Sequence, residues 1–317
     1  MKKPLIILSG PTASGKTKLS IMLAKKIGGE IISADSMQVY KGCDIGSAKI
    51  SIEEMEGVKH HLIDVLEPTD DFNVATFKSM AKDAINEIVS RNHVPIIVGG
   101  TGFYIQSVLY DVDFEASIGE NPKLRAELEI EAKKKGPQVL YERLKEIDEE
   151  SAKKLSPNDL RRVIRAIEFY EETKTPISIH NEEQRNKESS YNFAYFVLTD
   201  ERDKIYKNIN DRVDAMISNG LVDEVKGLIS KGLSLDNVSM HGLGYKEIIE
   251  YLNDSISLDE AIYRIKRDTR HFAKRQMTWF RRERDVVFLN RSEFNDEEEI
   301  LEKIIGEITF KGIINSI

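Results

Sequence analysis

Residues 10–17 read Gly10-Pro11-Thr12-Ala13-Ser14-Gly15-Lys16-Thr17. This is the G-x-x-x-x-G-K-[ST] spacing, in which glycines let backbone N–H groups turn inward around phosphate oxygens. In that arrangement Lys16 neutralises the outer phosphate and the Thr17 hydroxyl holds Mg²⁺. The loop does not say which phosphate it grips. A triphosphatase also needs an acid at the end of an apolar strand to organise the metal and the attacking water. The run Ile96-Ile97-Val98-Gly99-Gly100-Thr101 ends without one, although Leu62-Ile63-Asp64 carries one. Asp64 therefore stays open as a metal acid. A transfer reaction without ATP hydrolysis is the other possibility.

A second chemical group follows in Ser33-Ala34-Asp35-Ser36-Met37-Gln38. A carboxylate at Asp35, just past a strand, faces the phosphate loop across a switch-point crevice, where a general base could take a proton. It could equally cap a turn or helix, a position both Asp and Ser favour. The third feature is electrostatic. Residues 264–284 contain nine Lys or Arg against only Asp268 and Glu283, within a chain of net charge −8. His271, Phe272, Trp279 and Phe280 are interleaved with them, a composition suited to RNA phosphates and unpaired bases. A solvated helix face laced with salt bridges is the competing reading. A smaller cluster, Arg161, Arg162 and Arg165, lies about a hundred residues upstream.

The elements that must position these residues are legible from patterning. Leu5–Leu8 is a buried strand stopped by Gly10, and 18–26 is a helix ended by Gly28-Gly29. Residues 30–33 form a second strand, 61–65 a third, 77–89 a helix, and 94–98 a strand closed by Gly99-Gly100. This alternation predicts a P-loop NTPase-like α/β fold, a doubly wound parallel sheet flanked by helices, with ligands at the carboxyl ends of strands. From 121 to 190 strand-like runs vanish. Helical segments at 122–135, 137–148 and 158–173 predict an all-helical insertion domain, with 181–190 a loop. The catalytic core is then 1–120 plus 191–317. It resumes with a strand at 194–198, helices at 202–219, 221–231, 245–252 and 258–284, a strand at 285–289 and a terminal helix from 297.

The chain has 317 residues, enough for one large domain or two smaller ones sharing an interface. Its single cysteine, Cys43, excludes an internal disulfide framework and any multi-cysteine zinc site. No signal-peptide core and no 18-residue apolar stretch occurs, so a soluble, cytoplasmic monomer with no membrane partner is expected.

Taken together, these segments resemble the tRNA dimethylallyltransferase (tRNA isopentenyltransferase) family in its bacterial form. The match lies in the loop at 10–17, Asp35–Tyr40 with Asp44-Ile45-Gly46 and Ala48-Lys49, and Gly99-Gly-Thr-Gly-Phe-Tyr104. It continues in Asn158-Asp159 with Arg162 and Arg165-Ala166, Gly244-Tyr245, and Lys274–Arg281. The resemblance implies transfer of a dimethylallyl group from dimethylallyl diphosphate to N6 of the adenosine 3′-adjacent to the anticodon, tRNA position 37, in tRNAs reading codons that begin with U. By motif, the loop would hold the prenyl diphosphate rather than ATP, with Mg²⁺ at Thr17. Asp35 would be the general base, with Ser36, Met37 and Gln38 lining the base pocket. Lys16, Thr101 and Arg202 would stabilise the departing diphosphate. Arg125, Arg161, Arg162, Arg165, Lys274, Arg275, Gln276, Trp279 and Arg281 would contact the anticodon stem-loop. The weaker match around His241–Gly244 leaves its contacts open. An adenylate isopentenyltransferase, a P-loop small-molecule kinase and a nucleotide-switched RNA-binding protein are the alternatives.

Overall fold

A computed structural model describes residues 2–112 and 122–315. Six strands form one parallel sheet in the order β3-β2-β4-β1-β5-β6. They are β1 (Lys3–Ser9), β2 (Gly29–Ser33), β3 (His60–His61), β4 (Val94–Gly99), β5 (Tyr191–Thr199) and β6 (Val286–Asn290). β1 lies at the centre, with Ile6 opposite both Ile96 of β4 and Ala194 of β5. Leu5 to Leu8 are all fully buried, as expected of a strand covered on both faces. Helices α1 (Lys16–Ile27), α2 (Val74–Ser90) and α3 (Gly102–Leu109) belong to the first half of the core. The second half adds α9 (Arg202–Ser218), α10 (Leu221–Ser230), α11 (Tyr245–Leu252), α12 (Leu258–Phe280) and α13 (Glu297–Phe310). Leu19 and Leu23 of α1 and Ile304 of α13 pack with Ile6, Leu8, Phe196 and Leu198 of the sheet.

The chain divides into two compact units, Met1–Val108 with Ser190–Ile317, and Leu109–Ser189. The second contains α4 (Pro122–Lys135), α5 (Pro137–Ile147), α6 (Glu149–Ala152), α7 (Leu160–Thr173) and α8 (Ile177–Asn186). Leu128, Leu140, Leu144, Val163 and Ile167 form its core.

Several elements differ from expectation. The third strand is only His60–His61, because Leu62 and Asp64 adopt left-handed backbone (φ 62° and 54°) that ends the extended run. The polar stretch expected as a loop is helical up to Asn186. Pro176 opens α8, Asp148 accepts from the Ser178 amide at 2.9 Å, and His180 packs its ring on Phe169. The basic helix stops at Phe280 rather than 284. Helix α3 follows Gly99-Gly100-Thr101 directly, a start hidden by its glycines.

The carboxyl edge of the sheet is knitted by close backbone approach. The Ala34 amide donates to the Val98 carbonyl at 2.8 Å, and the Thr101 amide donates back to Ala34 at 3.4 Å. A Cβ at Gly99 would lie 2.4 Å from the Ala34 carbonyl oxygen. A Cβ at Gly10, whose φ is 147°, would lie 2.2 Å from the Leu198 carbonyl oxygen. Gly99→Ala must therefore push β2 and β4 apart at the end that carries Asp35 and Thr101. It is expected to lower unfolding stability by about 1–3 kcal/mol, measured as a shift in the urea midpoint. An unchanged midpoint would mean the approach is looser than described.

Candidate active site

The phosphate loop hangs between β1 and α1. Gly15 caps the helix in left-handed conformation (φ 88°) and no side chain caps it. The orphan N–H groups of the first turn are thus left for an external acceptor, and an anion there also gains from the helix dipole. The Lys16 ammonium donates to the Gly10 and Pro11 carbonyls at 3.0 and 2.7 Å. Burial, and then the Arg212 guanidinium, push it down to about 7, against the pull of Asp35. Burial lowers Arg212 as well, while Asp35 and Glu54 oppose that. A dianionic ligand between these cations would restore the charge that burial penalises.

Arg212 was not foreseen as a site residue. It projects from α9, donates to the Thr12 hydroxyl at 3.2 Å, and lines two neighbouring clefts. The larger, about 340 Å³, is bordered by Thr12, Asp35, Ser36, Met37, Thr101 and Arg275 among others. The smaller, about 270 Å³, joins Thr17, Ser33 and Gln38 to an apolar wall of Ile31, Ile50, Ile63 and Val98. Gln38 thus sits apart from Ser36 and Met37, in the second cleft. Asp35 fits both of its readings at once. Its Oδ1 accepts from the Met37 amide at 2.8 Å and the Gln38 amide at 3.4 Å, and the same residue lines the larger cleft. Arg202 lies elsewhere, stacked over the Tyr206 ring and lining a further cleft with Pro11, Lys274 and Arg281. Arg212 is the arginine of this helix that bonds Thr12 and shares charge effects with Lys16 and Asp35, while Arg202 shares a cleft with Pro11.

Gln276 holds the loop from above. Its Nε2 donates to the Gly100 carbonyl and its Oε1 accepts from the Thr12 amide, both at 2.9 Å. It is 7% exposed and lines the larger cleft. Trp279 packs against Gly102, where a Cβ would lie 2.2 Å from its ring, and edge-on to Phe103. Arg291 was also missed. It donates to the Ser14 carbonyl at 3.2 Å and is held by Glu297 at 2.7 Å, so it roofs Gly15. A lone arginine in a loop gives no sequence signal for this.

The basic helix is a mixture. Arg264 pairs with Glu250 and Glu260, Lys266 with Asp214, Arg267 with Asp268, and Arg270 with Asn210. Lys274, Arg275, Arg281 and Arg282 are exposed and, among the described residues, have no carboxylate partner. In the helical unit Arg161 and Arg162 are exposed and Arg165 is half-buried. Arg125 differs from expectation. Its guanidinium is bidentate to the fully buried Glu168, at 2.9 and 2.8 Å, a tie within that unit.

Among the described residues no group of three His, Cys, Asp or Glu side chains converges on a metal position. A single hydroxyl at Thr17 nonetheless fits Mg²⁺, which commonly keeps waters and phosphate oxygens as its other ligands. Asp64 lines neither cleft. It accepts from Lys49 at 2.5 Å, and that ammonium also binds Asp44 and the Tyr40 carbonyl.

A phosphate loop, a carboxylate and a second, half-buried cation thus border two neighbouring clefts. The IPP transferase family matches over residues 38–283. The tRNA dimethylallyltransferase of Lachnoclostridium phytofermentans is 55% identical over 312 residues, 98% of this chain and 99% of that one. This chain belongs to that family. The tRNA dimethylallyltransferase of Acetivibrio thermocellus is 50% identical, with 98% of each chain covered. The full-length tRNA isopentenylpyrophosphate transferase of Bacillus halodurans superposes with a TM-score of 0.73 at 42% identity over 98% of each chain. A eukaryotic dimethylallyltransferase acting on tRNA gives 0.82 at 29% identity, over 98% of this chain and 80% of that one. Among the described residues no helix is long and apolar enough to cross a membrane.

Because Lys16 titrates near neutrality when free, it is mostly charged at pH 6 and mostly neutral at pH 8. Pyrophosphate should bind through the charged form, so affinity should fall about tenfold across that interval beyond the anion's own ionisation. Calorimetry on wild type and Lys16→Met tests this. An identical pH profile in the two proteins would refute it.

Proposed function

We propose that this prenyltransferase moves a dimethylallyl group from dimethylallyl diphosphate to N6 of adenosine 37 in tRNAs reading codons that begin with U. It acts in the cytoplasm as a monomer. The observation that carries the reading is Arg212, which borders both clefts, donates to the Thr12 hydroxyl of the phosphate loop and feels the charges of Lys16 and Asp35. One cleft then takes the flipped adenine. The other takes the prenyl chain along Ile31, Ile50, Ile63 and Val98.

In this mechanism N6 attacks the first carbon of the prenyl group as the carbon–oxygen bond to the diphosphate breaks. Asp35 accepts the N6 proton, offsetting the weak nucleophilicity of an adenine amine. The diphosphate leaves with both electrons of the broken bond. Lys16, Arg212, Thr101 and the loop N–H groups stabilise its growing charge in a partly dry site. Mg²⁺ held at Thr17 supplies further neutralisation of the diphosphate when bound. The donor brings its own leaving group, so no ATP is consumed. Lys274, Arg275 and Arg281 on the core, and Arg161, Arg162 and Arg165 on the helical unit, grip the anticodon stem-loop through its phosphates.

The direct test incubates the protein with dimethylallyl diphosphate, Mg²⁺ and unmodified tRNA carrying adenosine at the third anticodon position and the next nucleotide. Prenylated adenosine in the tRNA is expected, and transfer to AMP instead would overturn the reading. Asp35→Asn should keep tRNA affinity while slowing single turnover by a factor of about 10²–10⁴. A wild-type rate would remove Asp35 from the role of base. Arg275→Ala should weaken tRNA binding and reduce the log–log salt slope by about 1. Unchanged affinity would return α12 to the role of a solvated face.

A further inference from the structure

Residues 44–48 connect the two clefts. Gly46 and Ser47 line the larger one, and Ala48 lines the smaller beside Gln38. Three successive backbone amides in this loop point at one side chain. Asp44 and Ile45 donate to Glu224 Oε2 at 2.9 and 2.7 Å, and Gly46 donates to Oε1 at 3.0 Å. Such a run of amides forms a concavity suited to an anion. Here it is filled by the protein's own carboxylate, delivered by α10. The Tyr245 hydroxyl, at the start of α11, donates to the same Oε1 at 2.9 Å. The Tyr245 ring is fully buried and presses on the loop so closely that a Cβ at Gly46 would lie 2.6 Å from it.

Glu224 lines neither cleft, yet it fixes the backbone that does. From that backbone the Ser47 and Ala48 carbonyls accept from Gln38 Nε2 at 3.5 and 3.4 Å, while Gln38 Oε1 accepts from the Ser33 hydroxyl at 3.1 Å. Bonds of 3.4–3.5 Å stand at the limit of useful geometry, so a small outward shift of the loop breaks them. Lys49 pins both ends of the loop, because its nearly buried side chain binds Asp44, Asp64 and the Tyr40 carbonyl and its amide donates to the Asp44 carbonyl at 2.9 Å. Glu224 is the side chain that holds the amides between those ends, and with them the distance of the partition from Gln38.

We infer that Glu224 is a positioning residue for the transfer. Through the amides of Asp44, Ile45 and Gly46 it holds the partition and the Gln38 carboxamide where adenine and prenyl group must meet. The inference rests on the proposed reaction for its kinetic consequence, but not for its structural one.

Two measurements on Glu224→Gln separate these. The isosteric amide keeps one acceptor oxygen and turns an NH₂ toward amides that need an acceptor. Hydrogen exchange of the Asp44, Ile45 and Gly46 amides in the free protein should speed up at least tenfold, with the β1 and β4 amides unchanged. Unaltered protection at 44–46 overturns the inference whatever the substrate is. In single-turnover prenyl transfer to tRNA, the variant should lose at least tenfold in rate, with apparent affinities for tRNA and prenyl diphosphate within about threefold of wild type. The loss should shrink to less than threefold in a Gln38→Ala background, because the effect runs through that side chain. A wild-type rate, a loss confined to substrate affinity, or full additivity with Gln38→Ala each refutes it. A wild-type protein inactive on tRNA would refute the proposed reaction instead, leaving the exchange result to decide the role of Glu224.

Discussion

The Gln276 carboxamide spans from the Gly100 carbonyl at the end of β4 to the Thr12 amide in the phosphate loop. It is a short bridge between two stretches that sheet pairing alone leaves unconnected beyond Ser9 and Gly99. A buried amide whose oxygen and nitrogen are both engaged tolerates little displacement, since either end left unpaired costs a desolvated polar group. The bridge sets the height of α12 above the sheet. Gly100 and Gly102 exist to admit it, since a Cβ at Gly100 would meet Gln276 and one at Gly102 would meet Trp279. The exposed cations Lys274 and Arg275 flank Gln276 on the same helix, so their placement over the clefts follows from that contact.

Electrostatics then divides the labour. The chain as a whole is acidic, yet Lys16 and Arg212 are brought together in a partly buried place that lowers both. Two cations held close repel one another, a cost that an anion between them would relieve. Asp35 lies near enough to stabilise both cations while its own Oδ1 is committed to the turn that aims it. This explains why a carboxylate can face a phosphate loop without cancelling it.

Much of this was legible in the sequence, for identifiable reasons. The loop, the buried strands and Asp35 could be read because short-range steric rules govern them: glycine at a turn, β-branched runs between helices, a carboxylate after a strand. Where a residue's bonds depend on a partner far along the chain, the sequence carries no signal for them. Arg125 is tied to the buried Glu168, 43 positions away. Gln276 is bonded to partners 176 and 264 positions away. Arg202 and Arg212 lie on one helix, and only the packing of α9 against the loop shows which of them reaches Lys16. Within the basic run Arg264, Lys266, Arg267 and Arg270 have partners inside the protein. Helix α8 was hidden by a polar sequence that only packing on Phe169 and a tie to Asp148 make helical.

The central place of β1 bears on how the protein is made. Although β1 leaves the ribosome before the other five strands of the sheet, it pairs on one side with β5, which begins at residue 191. The phosphate loop waits longer still for Arg212, Gln276 and Arg291. The helical unit, which closes its own core with contacts at short sequence range, emerges in between. Local contacts form fast and distant strand pairings slowly, so the insertion folds while the unfinished sheet on either side of it is still being assembled. A truncated or stalled chain therefore displays the glycine loop without the side chains that make it a binding site. Such a product is exposed to aggregation along the open edge of β1.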